Sequence, residues 1–247
     1  MGLQRFAADA RVLMRLARGQ PRSGSHAERL TAFYAPQAER YDAFRARLLH
    51  GREDMLAALD VRPGMQVVEL GCGTGRNLEF LATMLPIETL AGVQLVDLCP
   101  PLLEVARRRF AGHANVEAIE ADACRWRPDK PVDRVYLSYA LTMIPDWPAA
   151  LANARSMLAP GGRIGVVDFH LPAAGGRIGN AFWQRWFAHD GVRLSDAHVP
   201  WLHAHFDALR FEARRSPVPY LPGLSAPYYL FIGSNRPHSA CTALGTA

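Results

Sequence analysis

The chain is poor in lysine: of the 28 basic residues among its 247, only Lys130 is not arginine. Its four cysteines, Cys72, Cys99, Cys124 and Cys241, form no C-x-x-C pair, which argues against a disulfide framework and a zinc site and leaves an expectation of reduced thiols. No apolar run approaches the roughly 20 residues that span a bilayer, because Arg, Asp, Gly or Pro interrupts every candidate. The first twenty residues lack both an uninterrupted hydrophobic region and a small-residue cleavage site, so a cytosolic address is expected. No G-K-[ST] occurs, which removes the phosphate loop of nucleoside triphosphate enzymes. Internal repeats and low-complexity tracts are missing too.

What is present describes a packed chain of one or two domains, 49% hydrophobic and 21% charged. The net charge of +5 is unevenly placed: Met1 to Arg52 carries an excess of six positive charges, and the rest sums to −1. Such a front end points to an anionic partner. Within it, Leu3, Phe6, Ala10, Leu13, Met14 and Ala17 recur at helical steps with Arg11, Arg15 and Arg18 opposite. This amphipathic arm, residues 1–25, either packs its stripe on the body or lies in an anionic lipid surface. Nucleic acid is not expected, since aromatic residues do not interleave with the basic stripe and Phe6 stands alone before His26.

A helical pattern runs from His26 to about Leu59, and Pro63-Gly64 punctuates it. The periods then alternate: strands at Met65–Leu70, Leu90–Val96, Val116–Glu120, Val132–Tyr139 and Arg163–Phe169, with helices at Arg76–Leu85, Pro101–Phe110 and Trp147–Leu158. That succession predicts an open, doubly wound parallel sheet with ligands at the carboxyl edge of its strands. Further helices are expected at Phe182–Phe187 and His198–Leu209, then an antiparallel pair, Phe211–Val218 with Pro227–Gly233, and a polar tail.

The first strand runs into Gly71-Cys72-Gly73-Thr74-Gly75. Glycines serve where φ is positive or where a ligand presses on the backbone. A dinucleotide fingerprint needs a third glycine at position 76, which is Arg76, so a nicotinamide or flavin is disfavoured. Asp97 ends the next strand, 22 residues beyond Gly75, where a carboxylate can accept hydrogen bonds from a ribose diol. Asp122-Ala123 follow the third strand, placed to read an adenine edge, and Ser138-Tyr139 end the fourth. Asp97 or Asp122 as a simple turn or helix cap is the alternative.

Through VELGCGTG, VDLCPPLLEVARRRF, IEADA and LAPGGRIGVVDF the chain resembles class I S-adenosylmethionine-dependent methyltransferases. The resemblance implies a Rossmann-like α/β fold with a seven-stranded sheet, an N-terminal helical lid and no metal. It places the cofactor on Glu69, Gly71, Cys72, Gly73, Gly75, Asp97, Leu98, Asp122, Ala123 and Ser138. The domain would run over 26–236, with a helical lead-in 26–60 and a tail 237–247.

Two further phrases, Y-D-A-F-R-A-R-L-L-H-G-R-E from Tyr41 and S-Y-A-L-T-M-I-P-D-W from Ser138, are similar to the N-methyltransferases of betaine-lipid synthesis. These convert diacylglyceryl-homoserine to its N,N,N-trimethyl form by three transfers. Methyl transfer is an in-line displacement in which alignment of two held reactants contributes roughly 7–11 kcal/mol. Tyrosines suit a cation and arginines a carboxylate. Tyr41 is therefore expected near the sulfonium, Tyr34, Arg45 and His50 on the acceptor, and Tyr139 and His170 as catalytic groups, His170 taking a proton; a lid helix with its aromatics packed on the core, and a satisfied structural histidine at 170, are the alternatives. Arg47 is a further carboxylate candidate. The lipid substrate and anionic headgroups are the expected partners, with peripheral attachment to the membrane.

His203 and His205 diverge by about 200° on a helix, which disfavours a metal. Methylation of phosphatidylethanolamine or another amine, aminocarboxypropyl transfer from the same cofactor, and a non-catalytic membrane adaptor stay open as alternatives.

Overall fold

In a computed structural model the described residues are 24–35, 48–171, 181, 183–185, 187, 192–218 and 223–235. The amphipathic arm up to residue 23, Tyr41, Arg45, Arg47, Cys241 and the tail 237–247 lie outside them. Helix α1 (His26–Tyr34) begins at a capping box in which the Ser25 hydroxyl accepts from Glu28 N–H and the Glu28 carboxylate accepts from Ser25 N–H. Helix α2 (Arg52–Leu59) buries Arg52, Met55, Leu56 and Leu59, the i, i+3, i+4, i+7 stripe.

Strands β1 (Gln66–Leu70), β2 (Gly92–Asp97), β3 (Val116–Glu120), β4 (Val132–Ser138) and β5 (Leu158–Phe169) are parallel. Helices α3 (Arg76–Ala82), α4 (Pro100–Arg109) and α5 (Trp147–Met157) connect them. Helix α6 (His198–His205) leads into β6 (Phe206–Pro217), and β7 (Ser225–Asn235) inserts antiparallel between β5 and β6. The order is β3-β2-β1-β4-β5-β7-β6, the seven-stranded Rossmann-like sheet expected. Chain reversal at β1 to β4 makes the topological switch point, where the carboxyl ends open a crevice.

The central strands are apolar on both faces because both are covered. One face packs on Met55, Leu56 and Leu59 of α2, Leu78 and Leu81 of α3 and Leu103 of α4. The other packs on Leu151, Ala154 and Met157 of α5 and Leu202 of α6. None of the described helices is long and apolar enough to cross a membrane.

Several element boundaries depart from the sequence pattern, and two of them have a plain cause in the sheet. Residues 206–209, expected as the end of a helix, are the start of β6: Phe206 pairs with Asn235 and Ala208 with Gly233, so pairing along β7 prevails over local periodicity. Strand β5 starts at Leu158, and an irregularity opposite Val132 and Arg134 accommodates Pro160-Gly161-Gly162.

Arg134 joins the sheet to the end of α2. Nearly buried at 5% exposure, it donates from Nε to the Leu59 carbonyl at 2.8 Å and from Nη2 to that of Asp60 at 2.9 Å. These are terminal helix carbonyls with no intrahelical donor. Arg134→Met should therefore lower unfolding free energy by about 2–4 kcal/mol, measured by urea denaturation; an unchanged midpoint would show that these carbonyls do not depend on it.

Candidate active site

A cavity of about 330 Å³ lies over the carboxyl ends of β1 to β4. The glycine loop forms its floor. Gly71 N–H and Cys72 N–H both donate to the Val96 carbonyl, at 2.8 and 3.1 Å, so the loop is held to the end of β2. Gly71 has φ +74°, and a Cβ there would fall 2.5 Å from the Ala140 Cβ. Only glycine fits that approach. Gly73 N–H donates to Asp97 Oδ2 at 2.7 Å, and Cys99 N–H to Asp97 Oδ1 at 2.9 Å. Each oxygen keeps a lone pair, so the carboxylate can also accept from two hydroxyls. Burial pushes the Asp97 carboxyl above its ordinary value, while the backbone donors pull it down.

Beyond β3, Asp122 Oδ1 accepts from Cys124 N–H at 2.8 Å, shaping the turn that presents Ala121 to Cys124 to the cavity. From β4 come Ser138, Tyr139 and Ala140. Tyr139 adopts φ +54°, a rare conformation for a large side chain. Its hydroxyl donates to the His50 carbonyl at 2.7 Å, and burial holds its pKa well above the ordinary value. The hydroxyl thereby ties the end of β4 to the entry of α2. On the other side stand His26, Leu30 and Tyr34 of α1, with Leu49 and Arg52. Leu30, Phe33 and Tyr34 seat α1 on Cys99 and Leu102.

Of the expected cofactor residues, Gly71, Cys72, Gly73, Asp97, Leu98, Asp122, Ala123 and Ser138 line the cavity, and so do Tyr34 and Tyr139. Four expected residues do not. Gly75 serves packing: with φ +71°, a Cβ would meet Phe110 at 2.9 Å and Leu95 at 3.2 Å. Glu69 is buried beneath the floor, where Asn77 Nδ2 and Tyr136 Oη donate to it at 2.6 and 2.9 Å. His50 contributes its carbonyl to Tyr139 rather than its ring to the cavity. His170 lies beyond β5 with its ring 5.7 Å from that of Tyr229, and burial lowers its pKa.

Sequence reasoning passed over Arg52 and Asn77. Arg52 is 8% exposed, donates to the Leu49 carbonyl at 3.0 Å and rests over Phe80, 5.0 Å from the ring centre. An arginine on the buried stripe of α2 was the available signal, because a charge is not kept there without a use. Among the described residues no group of three His, Cys, Asp or Glu side chains is arranged to hold a metal. His205 Nδ1 lies 2.8 Å from the Trp201 carbonyl while His203 packs edgewise on Phe211 and Phe231.

A methyltransferase domain family matches residues 67–162, from β1 to the beginning of β5. Demethylmenaquinone methyltransferase of Thermus thermophilus is 34% identical over 160 residues, 60% of this chain and 70% of that protein. The chain belongs to the class I S-adenosylmethionine-dependent methyltransferases. Trans-aconitate 2-methyltransferase of Yersinia pestis is 30% identical over 126 residues, 51% of this chain, and the chain spans just under half of that relative, 46%. The fold is shared with the N-methyltransferase NodS of Bradyrhizobium japonicum in complex with S-adenosyl-L-homocysteine, at TM-score 0.58 and 17% identity over 74% of this chain and 85% of that one.

The methyltransferase uses S-adenosylmethionine, and the residues fit it. Asn77 Oδ1 and Ser138 Oγ, buried residues on the cavity wall, have no hydrogen-bond partner among the described residues. Such orphans are the mark of a polar ligand. Asp97 suits the ribose diol, the 121–124 turn the adenine, and Arg52 the carboxylate of the methionine moiety.

Burial pushes the Glu69 carboxyl to about 8, against the pull of Asn77 and Tyr136, so the folded methyltransferase keeps it neutral at pH 7. The unfolded chain ionises it near 4.5. Its contribution to stability is therefore full below that value and lost as pH rises through about 8. Glu69→Gln should gain stability relative to the parent at about pH 8.5 and not at about pH 5, as read from urea midpoints; a difference independent of pH would overturn the assignment.

Proposed function

We propose that the acceptor is the amine of a lipid headgroup, and that the enzyme converts diacylglyceryl-homoserine to diacylglyceryl-N,N,N-trimethylhomoserine by three transfers. One observation carries this reading: the two segments similar to betaine-lipid N-methyltransferases meet on one cavity. Leu49 and Arg52 come from the first, and Ser138, Tyr139, Ala140, Met143, Ile144, Pro145 and Asp146 from the second. Tyr34 and Tyr139 offer aromatic surface for a cationic, increasingly methylated nitrogen.

When bound, S-adenosylmethionine supplies a methyl group on a positively charged sulfur. The chain's residues orient and exclude. Asp97 and the glycine loop fix the nucleoside end and Arg52 the amino-acid end, while α1 covers the opening and Tyr139 closes the far wall. Alignment of this kind supplies most of the rate enhancement that a displacement needs. A second reading rests on the Thermus relative, whose name gives demethylmenaquinone as acceptor.

Incubation with methyl-labelled cofactor and diacylglyceryl-homoserine should yield mono-, di- and trimethylated lipid in sequence, resolved by mass spectrometry. Label only in phosphatidylethanolamine, or only in demethylmenaquinone, would replace the homoserine reading. Release of methylthioadenosine in place of S-adenosylhomocysteine would replace it with aminocarboxypropyl transfer.

The arginine-rich arm is proposed to bring the enzyme to an anionic bilayer, by charge attraction and burial of its apolar stripe. Deleting residues 1–25 should reduce sedimentation with vesicles containing anionic lipid, with the larger difference at low salt. Equal association of both proteins at every salt concentration would remove the arm from docking.

A further inference from the structure

Seven residues of the wall from Ser138 to Asp146 line the cavity, while Leu141 and Thr142 between them are buried, 1% and 2% exposed. Thr142 is the anchor. Its Oγ1 donates to Asp168 Oδ1 at 2.8 Å, and its N–H to Asp168 Oδ2 at 3.2 Å. Asp168 is wholly buried near the end of β5, does not line the cavity, and also accepts from Phe169 N–H at 2.7 Å. A buried carboxylate met by uncharged donors is costly, and on a strand face shared with Ile164 and Val166 an apolar residue would pack better. Its retention needs a use beyond packing.

The neighbouring contacts supply one. The Thr142 carbonyl accepts from Arg193 N–H at 2.7 Å, so the segment before α6 is fastened to the same residue. Met143 packs against the cluster that seats α1. Tyr139, three residues earlier, is held at positive φ, and such strain persists only when surrounding contacts over-determine it. One residue, Thr142, therefore sets the cavity wall, the bed of α1 and the 192–195 segment. Of the residues suited to the cofactor, Gly71 to Gly73, Asn77, Asp97, Asp122 and Arg52 are carried by the segments that follow β1 to β3 and by α2 and α3; Ser138 alone begins the wall, and its pairing with Val167 holds it within the sheet.

We infer that Asp168 is a positioning residue for methyl transfer: acting through Thr142, it fixes the 138–146 wall that aligns the acceptor with the sulfonium methyl. The inference rests on methyl transfer by this fold and on no particular acceptor.

The test combines Asp168→Asn, Thr142→Val, their double variant and Thr142→Ser. Hydrogen exchange followed by mass spectrometry should show faster exchange confined to peptides covering 138–147 and 192–195 in Asp168→Asn and Thr142→Val. S-adenosylhomocysteine affinity by calorimetry should change less than about threefold, because the charge partners of the cofactor stay in place. With diacylglyceryl-homoserine, kcat should fall about 10–100-fold, the scale of a misalignment of about 1 Å. The double variant should be no worse than the more impaired single variant, and Thr142→Ser, which keeps the hydroxyl, should restore the parent exchange pattern. Additive effects, loss of cofactor affinity parallel to loss of rate, or exchange raised evenly across the sheet would overturn the inference. If the parent enzyme leaves diacylglyceryl-homoserine unmodified, the acceptor reading fails while the exchange and affinity measurements still decide the role of Asp168.

Discussion

The site depends on the junction between the glycine loop and the end of β2. Parallel strands present their carboxyl ends at one edge, but register alone does not hold the loops that follow in a common shape. Here Val96 accepts two loop N–H groups and Asp97 accepts from Gly73 and Cys99, so the turn after β1 and the turn after β2 are built on the same pair of residues. Ala140 presses on Gly71 from the other side. Three strand ends that neighbour one another in the sheet, those of β2, β1 and β4, are thereby locked together, and the cavity's floor is held by contacts within the protein. A floor held in this way lowers the ordering cost of binding.

The electrostatics of that cavity suit a reactive methyl donor. Among the described residues, Cys72, Cys99 and Cys124 all line it. A thiolate beside an alkylating sulfonium would compete with the acceptor, since the thiolate is the nucleophilic form. Burial, reinforced by the Asp97 charge, holds the Cys72 thiol well above its ordinary value. Burial pushes Cys99 to about 12, and burial with the Asp122 charge does the same at Cys124. Burial is the larger cause at each thiol, and the Asp97 and Asp122 carboxylates, set round the same cavity, add to it.

The parallel core was legible because its signals are local. The glycine spacing, the acid at the end of β2 and the Asp122-Ala123 turn each require a particular residue at a particular place, and the structure puts them round one cavity. Misplacement followed where a residue type has two uses. Gly75 looks like a ligand-facing glycine, yet its missing side chain makes room for Phe110 and Leu95. Glu69 sits in the motif, yet points under the floor to Asn77 and Tyr136. Position along a strand gives the face only if register is known, so His170, adjacent to a strand end, reads as cavity-facing until β7 is seen to hold Tyr229 against it. Arg52 was missed for the opposite reason: its helix is short, and nearby Arg45 and Arg47 carry the same chemistry without marking which one is buried. Residues 206–209 became strand because β7 needed a partner along its outer edge, a demand made by the sheet and not by the segment itself.

These contrasts also locate acceptor choice within the fold. The family match runs from Val67 to Gly162 and so covers the glycine loop, Asp97 and the 121–124 turn, though not Arg52. The parts that roof and wall the remaining space come largely from elsewhere: α1, the Leu49–Arg52 entry to α2, and the 192–195 segment fastened to Thr142. They bear on the 138–146 wall, which belongs to the matched region but is held by Asp168, just outside it. A cradle can remain constant while its roof changes, because Asp97 and the glycine loop are braced by β1 and β2 without help from the roof. Under the role inferred for Asp168, acceptor alignment is therefore separable from cofactor binding at Thr142, where Asp168 and Arg193 both reach the wall.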